Sequence, residues 1–130
     1  MAIRRNAIEK IALSASEREE VCGFLIGLYR GDMVEAIDII PARNILGSKH
    51  EFLMDPRDVI IAYNMARSAG LDLVGIYHTH IEHPSIPSQR DADGMRLWPI
   101  PWLIMSIPSR EIRAWSLCGE HIENMELDIV

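Results

Sequence analysis

The chain lacks much of what would place it in several familiar classes. It has 2 cysteines in 130 residues, Cys22 and Cys118, too few for a disulfide framework and too far apart for a cysteine-based zinc knuckle. Both are expected to be buried reduced thiols, since a free cysteine packs as a small hydrophobe. No apolar run approaches the roughly eighteen residues of a membrane span. The start, Met1-Ala2-Ile3-Arg4-Arg5, has neither the apolar stretch nor the cleavage site of a signal peptide. The expectations are therefore no membrane partner and a cytoplasmic location. Positive charge is also short. The 13 Lys and Arg stand against 19 Asp and Glu, a net charge of -6, and no basic cluster is longer than Arg4-Arg5. Such a surface repels a phosphate backbone, so nucleic acid is not an expected partner. No repeat, linker or low-complexity segment divides the chain, which reads as a single domain over 1–130.

What is present suits a packed core: 48% hydrophobic and 25% charged residues, with a mean hydropathy of +0.04. Ile3, Ala7, Ile8, Ile11 and Ala12 recur at helical spacing and predict a helix over 3–16. Its apolar stripe suits the core or, alternatively, a homodimer contact. Val21 to Tyr29 and Met33 to Ile40 are β-rich runs around the turn Arg30-Gly31-Asp32 and predict a hairpin that ends at Pro41. Residues 42–55 read as a loop with one short strand. Asp55-Pro56 opens a helix whose predicted inner face is Val59, Ile60, Tyr63 and Ala66, and Gly70 closes it. Leu73 to His78 is apolar enough to be a strand buried on both faces. A loop over 79–87 follows, then the capping-box pattern Ser88-Gln89-Arg90-Asp91 and a short helix over 89–97. Three closing strands are expected at 102–107, 111–117 and 121–130. This order predicts an α+β domain with a mixed sheet flanked by helices.

The chemistry concentrates where the buried strand ends. Side chains at i and i+2 of a strand leave the same face, so His78 and His80 can present two imidazoles to one point. Asp91 follows His80 by eleven residues, enough chain to fold back and add a carboxylate. Two histidines and a carboxylate leave a coordination position open, as in catalytic zinc sites, where a bound water reaches a pKa of about 7. Each residue also has a plain structural reading. A buried His is commonly a hydrogen-bonded core residue, Asp91 in a first helical turn favours the helix dipole, and Ser88 serves as an N-cap. His83 is a weaker alternative ligand, because Pro84 biases it toward an extended conformation. Asp93 is expected to be solvated, and Trp98, Trp102 and Trp115 to pack.

The stretch Gly75-Ile76-Tyr77-His78-Thr79-His80 through Ser88-Gln89-Arg90-Asp91 contains H-x-H-x7-S-x2-D, and Glu20-Val21-Cys22-Gly23 contains E-x-C-G ahead of an apolar strand. In both motifs the chain resembles the JAMM/MPN-plus zinc metalloproteases, and the short stretch from Asp91 to the proline-bounded strand entry leaves little room for the insertions of larger relatives, which favours the minimal prokaryotic type. The resemblance implies a single MPN (JAMM) domain with cytidine-deaminase-like layering. His78, His80 and Asp91 would hold one Zn²⁺ per chain. Glu20, which the residues alone do not separate from Glu17 and Glu19, would be the general base, and Ser88 the oxyanion donor. The departure is Ile81, where many relatives carry proline after the second histidine. The implied activity is hydrolysis of peptide or isopeptide bonds after the carboxyl-terminal Gly-Gly of a ubiquitin-like modifier or sulfur-carrier protein. Such a tail is expected to add to a sheet edge near Lys49 to Leu53. A metal-free MPN scaffold would have lost ligands, a RadC-like domain lacks E-x-C-G, and a non-haem iron oxygenase has no use for a separate glutamate base.

Overall fold

Ala7 and Ile11, one turn apart on α1 (Arg5–Ser14), are fully buried. They cover one face of a sheet. The computed structural model describes all 130 residues, and its remaining elements are β1 (Ala2–Ile3), β2 (Cys22–Arg30), β3 (Met33–Ala42), α2 (Pro56–Ser68), β4 (Asp72–His80), α3 (Gln89–Leu97), β5 (Trp102–Ser106), β6 (Ile112–Cys118), β7 (His121–Met125) and β8 (Asp128–Ile129). The eight strands form one mixed sheet in the order β7-β6-β5-β4-β2-β3-β1-β8. Against α1 pack Leu25, Val74, Tyr77 and Leu103. On the opposite face Ala62, Ala66 and Met95 of α2 and α3 pack on Cys22, Phe24, Ile76 and Trp102. The expected α+β layering is what the chain adopts.

β4 is the central strand, antiparallel to β2 and parallel to β5. Both of its faces are covered by helices, which is why its sequence is a nearly unbroken apolar run. It extends two residues past the expected end at His78, because Thr79 and His80 pair with Met105 and Ser106 of β5, partners that local sequence does not show. Both histidines therefore sit on regular strand.

Other boundaries move for similar reasons. The first helix is shorter than 3–16, since Ile3 is drawn into β1, which lies parallel to both β3 and β8. The closing segment 121–130 divides into β7 and β8, which lie at opposite ends of the sheet. The inner face of α2 is carried by Ala62 and Ala66, while Ile60 and Tyr63 are 63% and 51% exposed. Small alanines let the helix lie close to the sheet and turn the larger side chains outward. Its caps are as expected: Asp55 accepts the Arg57 N–H at 2.9 Å, and Gly70, at φ +70°, takes the left-handed turn that ends it. Cys22 is buried, but Cys118 is exposed at the end of β6.

The glycine of Glu20-Val21-Cys22-Gly23 has a packing reason. A Cβ at Gly23 would lie 2.5 Å from both the Ile40 carbonyl oxygen and the Tyr77 hydroxyl. Gly23→Ala is expected to lower stability by about 1–3 kcal/mol through overpacking, read as a lower urea midpoint at unchanged slope. A midpoint equal to wild type would show that β2 and β4 can separate without cost.

Candidate metal centre

The end of β4 presents His78 and His80 on one face, and α3 begins with Asp91 in its first turn. All three are buried. His78 Nε2 and His80 Nε2 are 3.1 Å apart, Asp91 Oδ1 is 3.2 Å from the first, and Oδ2 is 3.0 Å from the second. Asp91 both caps the helix and faces the two imidazoles. Ser88 Oγ accepts the Asp91 N–H and Asp91 Oδ2 accepts the Ser88 N–H, each at 3.0 Å. A carboxylate has about four lone-pair directions, so the capping bond leaves capacity for the imidazole side. The predicted capping box thus clamps the carboxylate in place.

His80 Nδ1 lies 2.7 Å from the Pro84 carbonyl, which can only accept, so Nδ1 carries the proton and Nε2 offers a lone pair in the neutral ring. His78 Nε2 faces the same buried point, while its Nδ1 has no hydrogen-bond partner. The three side chains form a group whose ligand atoms lie within 4.8 Å of one another, and two imidazoles with one carboxylate suit a divalent cation. Burial pushes the Asp91 carboxyl up, but the nearby His78 and the bonds from His80 and the Ser88 N–H hold it well below the usual carboxylate range. Burial also depresses the His80 imidazole, yet Asp91, the Pro84 carbonyl and Glu20 together raise it. His78, wholly enclosed, is lowered by burial, which Asp91 offsets only in part.

Glu20 lies just before β2, 2% exposed, with Oε1 unpartnered. Burial pushes its pKa up to about 7, Asp91 and Glu51 add to the rise, and His80 opposes it. Its place is tied to the histidines by Thr79 between them. The Thr79 N–H donates to the Val21 carbonyl and Thr79 Oγ1 accepts the Val21 N–H, both at 3.0 Å. Cys22 is the β2 partner of His78, and its burial beneath the centre pushes the thiol up to about 12.

The loop from β4 to α3 is held by three consecutive carbonyls. Ser106 Oγ donates to His83 O at 2.8 Å, His80 to Pro84 O, and Trp115 Nε1 to Ser85 O at 2.9 Å. Thr79, Ser106 and Trp115 were not separable in the sequence from ordinary strand residues; Trp115, expected only to pack, also donates this bond. His83 stands outside the cluster, its ring 6.4 Å from that of His80 and 6.3 Å from that of His50. Asp93 is exposed, as expected. The Ser88 side chain is exposed, and capping uses only an acceptor lone pair, leaving its O–H free to donate. Phe52 covers His78 with ring centroids 4.6 Å apart. From there a cleft of about 630 Å³, walled by Leu53, Val59, Ile60, Leu97 and Trp98, leads to Asp91. The segment Lys49 to Leu53 is not a sheet edge. Its vicinity has one isolated bridge, Asn44 to Met54, and the Leu53 N–H is taken by the Asn44 side chain.

A mixed sheet whose central strand ends in H-x-H beneath a clamped aspartate is the layout of a JAB/MPN metal domain. The family model described as prokaryotic homologs of the JAB domain matches residues 5–118, and the chain belongs to that family. It is 43% identical over 111 residues to a desampylase of Pyrococcus furiosus, covering 85% of this chain and 74% of that protein. It is 35% identical over 80 residues to a probable TtuB-protein conjugate cleaving protease of Thermus thermophilus, covering 61% of this chain and 53% of that one. Among solved structures, a Desulfitobacterium hafniense protein superposes with a TM-score of 0.89 at 25% identity, covering 100% of this chain and 93% of that one. A JAB1/MPN domain protein of Archaeoglobus fulgidus, at 19% identity and a TM-score of 0.66 over 100% of this chain and 99% of that one, shares the fold.

The elevated Glu20 pKa has a thermodynamic consequence. The folded chain holds this proton more tightly than the unfolded chain, so the associated stability is present at low pH and is lost as pH rises from 4.5 through about 7. In chelator-stripped protein, Glu20→Gln is expected to be more stable than wild type at pH 8, on the order of 1–2 kcal/mol, with the gap closing near pH 5. A gap independent of pH in thermal unfolding would contradict it.

Proposed function

We propose that this protein is a zinc-dependent peptidase that cleaves peptide or isopeptide bonds after the carboxyl-terminal Gly-Gly of a ubiquitin-like or sulfur-carrier protein. The observation that carries the reading is a buried carboxylate, Glu20, with a pKa near neutrality beside an intact His78, His80 and Asp91 set. The names of the Pyrococcus and Thermus relatives support conjugate cleavage. Two imidazoles and one carboxylate suit Zn²⁺ with a position left open. When bound, the ion acts as a Lewis acid that lowers the pKa of a water to about 7 and polarises the scissile carbonyl.

The chain's own residues do the rest. Glu20 takes the proton of the attacking water and returns it to the leaving amine, a shuttle that works best with a pKa close to the working pH. Ser88 donates its free O–H to the carbonyl oxygen as negative charge develops there. Asp91 cannot drift, because the capping bonds hold it. The apolar cleft beneath Phe52 offers the acyl side of the substrate an approach to the centre.

Cleavage of a ubiquitin-like fusion with a Gly-Gly junction, measured with metal content by mass spectrometry, tests the reading. About one Zn per chain is expected in wild type and in Glu20→Gln, with cleavage by wild type alone. Zinc-free wild type, or an unimpaired Glu20→Gln, would sink it. Alanine at His78 or Asp91 should remove metal and activity together. Ser88→Ala should keep the metal and lose turnover by about 10²-fold, near 3 kcal/mol, with about 1 kcal/mol of stability lost through the cap.

A further inference from the structure

Asn44 lies in the loop between β3 and α2, and its side chain is buried with all four hydrogen-bonding positions filled. Nδ2 donates to the Glu20 carbonyl at 3.0 Å and to the Glu51 carbonyl at 3.1 Å. Oδ1 accepts the Leu46 N–H at 3.2 Å and the Leu53 N–H at 3.1 Å. Two carbonyls facing one end and two N–H groups facing the other dictate the amide's orientation. A local Asx turn accounts for the Leu46 bond alone. The other three tie distant backbone together.

The backbone they tie is that of the base. Glu20 donates its own N–H to the Ser48 carbonyl at 2.8 Å, so the loop grips it through both N–H and C=O. Between Glu51 and Leu53, the two loop residues Asn44 holds, stands Phe52, whose ring lies on His78. At the loop's outer side Glu51 pairs with Arg90 of α3 at 3.0 Å. One buried amide thus fixes in a single frame the residue before β2, the aromatic wall over His78 and the loop facing α3. The amide itself touches neither the histidines nor Asp91.

We infer that Asn44 is a positioning residue, setting where the Glu20 carboxylate stands relative to His80 and Asp91 by holding the Glu20 carbonyl and the 45–53 loop together. The inference rests on the proposed role of Glu20 in proton transfer. It separates Asn44 from a residue that merely stabilises the loop, because the expected loss falls on the chemical step.

The test uses the zinc-loaded protein, the Gly-Gly fusion and the variants Asn44→Ala and Asn44→Ser. Serine keeps a local acceptor for the Leu46 N–H but is one atom too short to reach Glu20. Both are expected to lower kcat per bound zinc by roughly 30- to 100-fold, the scale set by about 1 Å of misplacement. The zinc dissociation constant from chelator competition should stay within about threefold of wild type, since the amide touches none of His78, His80 and Asp91, and any rise in KM should be smaller than the fall in kcat. A kcat per bound zinc within about twofold of wild type, or a loss matched by lost zinc, overturns the inference. Where Asn44→Ala does not fold, Asn44→Ser carries the test. If wild type leaves the fusion intact, the proposed activity fails, and positioning is read instead from amide exchange. Exchange at Glu20, Leu46 and Leu53 should then accelerate at least about tenfold together in the variant. Unchanged exchange at Glu20, whose N–H partner is Ser48 and not Asn44, overturns it.

Discussion

Asp91 has to satisfy two demands at once, and the centre depends on its doing so. Its carboxylate is buried against His78 and His80, where an unheld charge would be costly. It is also the third residue of α3, where the Ser88 N–H and the positive end of the helix welcome it. Each role stabilises the other. The helix start fixes the carboxylate while Oδ1 and Oδ2 still face the two imidazoles, and the capping box at Ser88 sets where the helix begins. A ligand on a free loop would have to be ordered each time a cation bound.

Around that clamp the fold supplies rigid walls. β4 reaches His80 because β5 pairs with its last two residues, and Thr79, between the two histidines, anchors Val21 and with it Glu20. The connection from β4 to α3 is fastened at three successive carbonyls by Ser106, His80 and Trp115. On the other side, the loop through Phe52 is fastened by Asn44. Several groups near the cluster are thus held by residues outside it, Ser106, Trp115 and Asn44, as a site preorganised before substrate arrives requires.

Their partners then differentiate two buried carboxylates. Asp91, facing two imidazoles and a backbone donor, is driven toward its charged form, while Glu20, buried with one oxygen unpartnered, is driven toward its neutral form. Opposite surroundings thus set the two carboxylates apart, one held toward its charged form and the other toward its neutral form. The exposed apolar side chains Ile60, Leu97 and Trp98 beside the centre lie where α2 and α3 leave the sheet uncovered, forming an approach to it.

Much of this was legible in the residues. The H-x-H pair reads as a same-face pair because strand geometry has a period of two, Ser88 and Asp91 read as a capping box, and Asp55-Pro56 and Gly70 bound α2, all of them consequences of local backbone physics. E-x-C-G and H-x-H-x7-S-x2-D together pointed to the family. Other features depended on partners far along the chain. The extension of β4 to His80, the removal of Ile3 into β1, the division of the last segment and the outward turn of Ile60 and Tyr63 each follow from a neighbour strand or a close helix contact. Asn44 shows the difference most plainly. In sequence it is an ordinary loop asparagine, and only the folded chain places the carbonyls of Glu20 and Glu51 and the amides of Leu46 and Leu53 around it. Local spacing can say which side chains share a face; which backbone groups are left needing a partner is settled only when the sheet closes.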